Sequence, residues 1–219
     1  MQATQPEPDE YAGQQIVVRF DAKKCIHSRH CVLDQPAVFR ANVQGPWIAP
    51  DNASVAAVAE VAHACPSGAI TYRRLDGGTQ EQPPAVNTLR VRENGPLALR
   101  ADIRLEGQPD AIRATLCRCG ASQNKPYCDG GHTAAGFTAS GEPATQPAEP
   151  LALRSGPLRV TPVKDGPLQV EGSLELCSGT GRTFNRIQKT WLCRCGGSQN
   201  KPYCDGSHKQ IGFRAEGPG

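Results

Sequence analysis

Between Leu97 and Leu105 apolar side chains (Leu97, Leu99, Ala101, Ile103, Leu105) alternate with mainly polar ones, the period-two pattern of a strand with one buried face. The alternation returns at Leu168, Val170, Gly172, Leu174 and Leu176, behind the same Gly-Pro lead-in. Nearer the N-terminus, residues 16–20 (Ile-Val-Val-Arg-Phe) read as a strand, 53–64 as an Ala/Val-rich helix and 69–74 as a second strand. Proline-bearing linkers are expected at Gln80 to Pro84 and Gly141 to Pro150. The pattern predicts an α+β chain, with a small mixed domain followed by two β-rich modules of similar build.

A large core is not expected. Aromatic residues make up 5% of the 219 residues and mean hydropathy is −0.46, so small domains stabilised by bound metal fit better than one extensive apolar interior. No apolar run approaches the length of a membrane span. The start, Met1 to Glu10, is polar and lacks a signal-peptide pattern, so a reducing, cytoplasmic setting is expected for the ten cysteines. Residues 150–219 carry ten Lys+Arg against five Asp+Glu, a basic surface suited to an acidic redox partner or simply to solvent. The aromatic-plus-basic grouping of a nucleic-acid binder is missing, as are paired carboxylates, a nucleophile elbow and a phosphate loop; an enzyme is not expected.

The segment Leu116 to His132 occurs twice, returning as Leu192 to His208 with two changes, Ala121 to Gly197 and Gly131 to Ser207. Each copy holds three cysteines and one histidine as C-x-C-x8-C-x3-H: Cys117, Cys119, Cys128 and His132, then Cys193, Cys195, Cys204 and His208. Thiolates and imidazole in a short Gly/Pro-rich segment suit a metal centre better than a core. Spacing alone leaves two answers open: a tetrahedral zinc, or a [2Fe-2S] centre with two thiolates on one iron and a thiolate plus an imidazole on the other. A helix starting at Asp129 or Asp205 would point Cys128 and His132, or Cys204 and His208, the same way. The two aspartates are expected to cap those helices. The Gly-Pro lead-in shifts by 71 (Gly95 to Gly166) and the first cysteine by 76 (Cys117 to Cys193), so five extra residues are expected in the loop around Gly179 to Arg186.

The words Cys204-Asp205-Gly206-Ser207-His208 and Lys201-Pro202-Tyr203, with Ser122, Pro126, Ser198 and Pro202 in place, resemble the CDGSH iron–sulfur family, the mitoNEET group. The resemblance implies two [2Fe-2S] clusters held by the eight residues above. Because single-repeat relatives form homodimers, it also implies an intrachain pseudo-dimer in a monomer.

A third site is expected at the front. Cys25-Ile26-His27-Ser28-Arg29-His30-Cys31 and the later Cys65-Pro66 match the C-x2-C-x2-C…C-P template of bacterial ferredoxin clusters, except that Ser28 replaces the second cysteine. The run from Tyr11 to about Arg74 is similar to divergent single-cluster ferredoxins. That implies a [3Fe-4S] or [4Fe-4S] cluster on Cys25, Cys31 and Cys65, with His27, Ser28 and His30 as candidates for a fourth ligand. His63 is expected to be a surface or packing residue, and Cys177 a bystander thiol. The expected organisation is a polar tail (1–10), a ferredoxin-like domain (11–79) and two CDGSH domains (86–141 and 151–219). The expected function is electron transfer with a redox partner protein. The alternatives are a cluster carrier acting on an apo-acceptor, a redox or pH sensor, and a zinc-binding adaptor.

Overall fold

The computed structural model describes residues 8–218, so Met1–Glu7, most of the expected polar tail, lie outside the described residues, as does Gly219. The chain divides into two compact units, residues 1–82 and 83–219.

In the first unit β1 (Asp9–Ala12), β2 (Ile16–Phe20) and β3 (Ile70–Arg74) form an antiparallel sheet in that order. β1 was not foreseen; it takes up the end of the expected tail, with Glu10 paired to Arg19. The helix expected at 53–64 is α2 (Val55–Ala64), which starts two residues later because the Ser54 hydroxyl accepts the Ala57 amide as its N-cap. Ile16 and Val18 pack with Val58, Val61 and Ala62 of α2 and with Val38, Phe39 and Ile48 from the intervening loop. Trp47 lies edge-on to Phe20, 4.8 Å between ring centroids. His63 bonds the Tyr72 hydroxyl through Nε2 at 2.9 Å, the packing role of the two expected of it.

The second unit is built around one six-stranded sheet to which both repeats contribute. β5 (Leu97–Leu105) and β6 (Ala111–Leu116) form a hairpin, as do β8 (Leu168–Cys177) and β9 (Thr183–Leu192). The short strands β4 (Thr88–Val91) and β7 (Pro157–Pro162) lie between the hairpins, each antiparallel to a strand of its own repeat and parallel to one of the other. Registers match under the 71-residue shift: Leu89 faces Leu99 and Leu176, and Val160 faces Val170 and Leu105. The alternating leucines and valines of both copies meet in one apolar cluster.

The extra residues of the second copy are not in a loop. Both hairpin loops have the same length (106–110 and 178–182), whereas β8 has ten residues against nine in β5 and β9 has ten against six in β6. The insertion lengthens the hairpin, keeping its added backbone groups paired. The 141–150 connection is likewise held down: Gly141 accepts the Gly179 amide and the Gln146 amide donates to Phe184.

Candidate metal centres

Each repeat delivers its four donors from a turn that follows a hairpin. β6 ends at Leu116, and the chain folds back so that the Cys117 amide donates to Pro126 and the Cys128 amide to Thr115. The second copy repeats this, Cys193 to Pro202 and Cys204 to Trp191. The Ser122 hydroxyl donates to the Tyr127 carbonyl and accepts the Asn124 amide, fastening the intervening loop; Ser198 does the same for Tyr203 and Asn200.

The donors fall into pairs. Cys117 and Cys119 Sγ are 3.7 Å apart, and Cys128 Sγ is 3.5 Å from His132 Nδ1. In the second copy the values are 3.8 Å for Cys193 and Cys195 and 3.4 Å for Cys204 and His208. Two thiolates on one tetrahedral metal at ~2.3 Å stand ~3.8 Å apart, and a thiolate with an imidazole nitrogen somewhat less. Each pair is thus spaced to share one metal. Among the described residues no three Cys, His, Asp or Glu side chains converge on a single ion. The donor set fits a two-metal centre with one pair per metal.

Backbone amides face the sulfurs: Ala121 N–H and Gly130 N–H lie 3.4 Å from Cys119 and Cys128 Sγ, and Gly197 and Gly206 repeat this for Cys195 and Cys204. Such donors favour thiolate over thiol. In the Cys117–Cys119 pair, the Cys119 thiol bonding to Cys117 lowers the latter's pKa to about 6 and raises that of Cys119. Burial raises Cys128 to about 11. Cys119 and Cys128, raised in this way, give up their protons readily only when a metal takes their place.

The expected helices are single turns, α3 (Gly131–Ala134) and α4 (Ser207–Gln210), beginning two residues later than anticipated. Their N-caps are Gly130 and Gly206, left-handed at φ +85° and +89°, so the expectation that the aspartates cap them is corrected. Asp129 stands one residue earlier and accepts the Gly131 amide at 2.9 Å and the Gln123 amide at 2.7 Å, tying the helix start to the cysteine loop. Asp205 makes the same bonds and accepts the Ser207 hydroxyl at 2.6 Å, which Gly131 cannot supply. That hydroxyl, with the Ser207 and Gln199 amides, holds the Asp205 carboxyl well below the usual range.

Two residues were missed in the sequence. Arg118 and Arg194, between the first two cysteines of each copy, are each only 1% exposed. Arg118 donates to the carbonyls of Gly95, Arg92, Ala139 and Ser140 at 2.6–3.1 Å; Arg194 donates to Gly166, Val163 and Glu216 at 2.5–3.1 Å. Burial lowers both guanidinium pKa values; the opposite copy's first cysteine and a carboxylate counter it, Cys193 and Glu93 for Arg118, Cys117 and Asp165 for Arg194. The invariance of an arginine in both C-x-C words was the available signal.

The copies meet at their cysteine turns. Cys119 and Cys195 form an antiparallel bridge, and a β-carbon on Gly120 would stand 2.5 Å from the Cys195 carbonyl oxygen. Aromatic rings lock the turns crosswise. Phe137 lies between Arg118 of its own copy and Lys201 of the other, Phe213 between Arg194 and Lys125, at 5.3–6.0 Å from ring centroids.

In the first unit Cys25 follows a 3-10 turn (Ala22–Lys24), Cys31 lies on α1 (His30–Asp34) and Cys65 closes α2. All three line one cavity of about 330 Å³, with Phe20 and Trp47 as apolar wall. Burial raises the Cys25 and Cys31 thiols. His27, Ser28 and His30 line the same cavity. The loop bends sharply, with φ of +54° at His27 and +65° at Arg29, and sets His27 Nδ1 4.0 Å from Cys25 Sγ. His30 instead faces Asp34, Nδ1 to Oδ2 3.7 Å. Cys177 is buried at the end of β8, beside the Thr183 hydroxyl, apart from these donors.

Comparison with known proteins agrees with this division. A family model described as a divergent 4Fe-4S mono-cluster matches residues 11–75, and one described as an iron-binding zinc finger of CDGSH type matches residues 94–133 and 165–209. The chain is 43% identical over 63 residues to an uncharacterized protein, YjdI, of Escherichia coli K12, covering 29% of this chain and 82% of the relative; the O157:H7 protein matches equally. No solved structure matches the chain.

Proposed function

Since the chain belongs through its first unit to the divergent 4Fe-4S mono-cluster family, and through both halves of its second to the CDGSH iron-binding family, we propose that it is an electron-transfer protein with three iron–sulfur clusters. Bound clusters supply one-electron carriers; the chain fixes their ligands, exposure and surroundings. Two [2Fe-2S] clusters are assigned to Cys117, Cys119, Cys128 and His132, and to Cys193, Cys195, Cys204 and His208. What carries this over mononuclear zinc is the pairing of donors at single-metal spacing, twice in each copy. The interleaved β4 and β7, with the Cys119–Cys195 bridge, support a pseudo-dimer within one chain.

The front cluster is assigned to Cys25, Cys31 and Cys65 in their shared cavity. Its fourth position falls in the turn between Cys25 and Cys31. Ser28 stands at the template position, and His27 lies beside Cys25 at a distance suited to an N–H donor. In a cubane each iron takes one protein ligand, so two ligands do not approach as closely as two on one metal. Four irons fit the matching family's description, and Ser28, at the template position, is the proposed fourth ligand.

No reaction of its own is assigned to the chain. A reducing compartment such as the cytoplasm would keep the nine assigned cysteine ligands, all free thiols in this structure, available to bind clusters. No described helix is long and apolar enough to cross a membrane. The reading is tested by stopped-flow reduction with a flavin reductase. Reversible reduction of all three clusters without loss of iron supports electron transfer. Iron delivered to an apo-acceptor, with slow reduction, would instead favour a carrier; the half-buried His132 and His208, single neutral ligands among thiolates, suit that role.

A further inference from the structure

The buried arginines carry charge that their hydrogen bonds do not neutralise. Arg118 and Arg194 spend their N–H groups on backbone carbonyls, and among the described residues neither guanidinium is bonded to a carboxylate. A guanidinium at 1% exposure costs several kcal/mol unless negative charge is near. Carbonyl dipoles satisfy the donors, and one carboxylate acts on each arginine without bonding to it, Glu93 on Arg118 and Asp165 on Arg194.

The assigned clusters would bring further negative charge beside each guanidinium. Two ferric ions, two sulfides, three thiolates and a neutral imidazole leave a net charge of about −1, and one added electron makes it about −2. Each repeat thus pairs one such charge with one buried arginine. Position agrees with charge. Each arginine lies between two cysteine ligands of its own copy, and the Cys119–Cys195 bridge brings the two turns together. The ring of Phe137 between Arg118 and Lys201, and that of Phe213 between Arg194 and Lys125, fix the cations at the copy–copy junction.

We infer that Arg118 and Arg194 are the fixed counter-charges of the two [2Fe-2S] clusters, raising their reduction potentials and acting across the copy boundary as well as within each copy. The inference rests on the assignment of [2Fe-2S] clusters to the repeats. The reduced state, with its extra negative charge, gains most from a nearby cation held in a medium of low dielectric. A structural anchor alone would need the hydrogen bonds but not the charge.

The test separates charge from anchoring in the full-length, cluster-loaded chain. Potentiometric titration followed by electron paramagnetic resonance is applied to Arg118→Gln and Arg118→Lys, and to the same pair at Arg194. Glutamine should make reduction about tenfold less favourable, about 59 mV for one electron, while lysine, keeping the charge and losing the fork of donors, should hold the potential near that of the unmodified chain. In a His208→Cys background, which gives the second cluster a distinct spectrum, Arg118→Gln should also shift that second cluster. Equal potentials for glutamine, lysine and arginine would overturn the inference, as would glutamine and lysine shifting alike. If glutamine variants lose their clusters too fast to titrate, release rates decide: lysine should retain cluster far longer than glutamine, and equal rates reject the charge role. Zinc in place of iron in the unmodified repeats would instead overturn the [2Fe-2S] assignment itself.

Discussion

The front unit gathers its cysteines from a distance, whereas the repeats hold theirs locally. Cys25, Cys31 and Cys65 come from a turn, a short helix and the end of a longer helix, and they share a cavity only because Ile16, Val18, Phe39 and Val58 pack behind them. In the repeats, four donors lie within one segment whose turns are closed by Ser122 and Asp129, or Ser198 and Asp205. What is non-local there is the support: a shared sheet, and arginines reaching back to the Gly95 and Gly166 turns. A site built by tertiary packing should fail with its core. A site built by a local motif should fail at the junction that supports it.

The largest separation comes from emptying the front core. Phe39, fully buried, should cost about 3–5 kcal/mol as Phe39→Ala. The front cluster should then be lost while the two in the repeats persist, read from iron content and visible absorption; loss of all three together would break the contrast. At the junction, Gly120→Ala places a β-carbon against the Cys195 carbonyl on a backbone with φ +83°. A cost of about 2–3 kcal/mol is expected in denaturant unfolding of the second unit. Gly107→Ala, also at positive φ but with open space around it, should cost about 1 kcal/mol. Similar values for the two would mean that the copies do not press together there.

Replacing His132 or His208 with Cys sharpens the ligand assignment. A thiolate adds negative charge where a neutral imidazole stood, so that cluster's potential should fall, as all-thiolate centres lie below those with imidazole ligands. An unchanged potential would remove the histidine from the ligand set. The smallest effect separates the copies from each other. Asp205 is held down by the Ser207 hydroxyl, so its contribution to stability is fully present above the ordinary carboxylate range and is lost as pH falls through its depressed value. Ser207→Gly should raise the Asp205 pKa in a carboxyl NMR titration and move acid unfolding of that turn to higher pH; no movement would show the hydroxyl to be idle.

The division between local and distant support also explains what the sequence could disclose. The C-x-C-x8-C-x3-H words, the strands at 97–105 and 168–176 and the Cys25/Cys31/Cys65 template were legible because each is a short-range pattern of residue type. Strands β4 and β7 were not, since four to six residues without clear alternation become strands only by pairing with both repeats. The arginines were overlooked for the same reason: nothing in their neighbours announces that carbonyls twenty or more positions away will bury them. The added residues of the second copy looked like loop because Gly179 and Gly181 lie among them, yet they are absorbed by a longer hairpin. Asp129 and Asp205 looked like caps, but a glycine follows each and takes the left-handed position.

The central claim is that two kinds of iron–sulfur site share this chain, one in the front unit and a matched pair in the repeats. Anaerobic purification followed by iron, acid-labile sulfide and zinc analysis, with electron paramagnetic resonance of the oxidised and reduced protein, tests it most directly. About eight irons and eight sulfides per chain are expected, with two different reduced signals, the one from the repeats showing the imidazole-ligated pattern. Stoichiometric zinc with no acid-labile sulfide, or a single cluster type throughout, would contradict it.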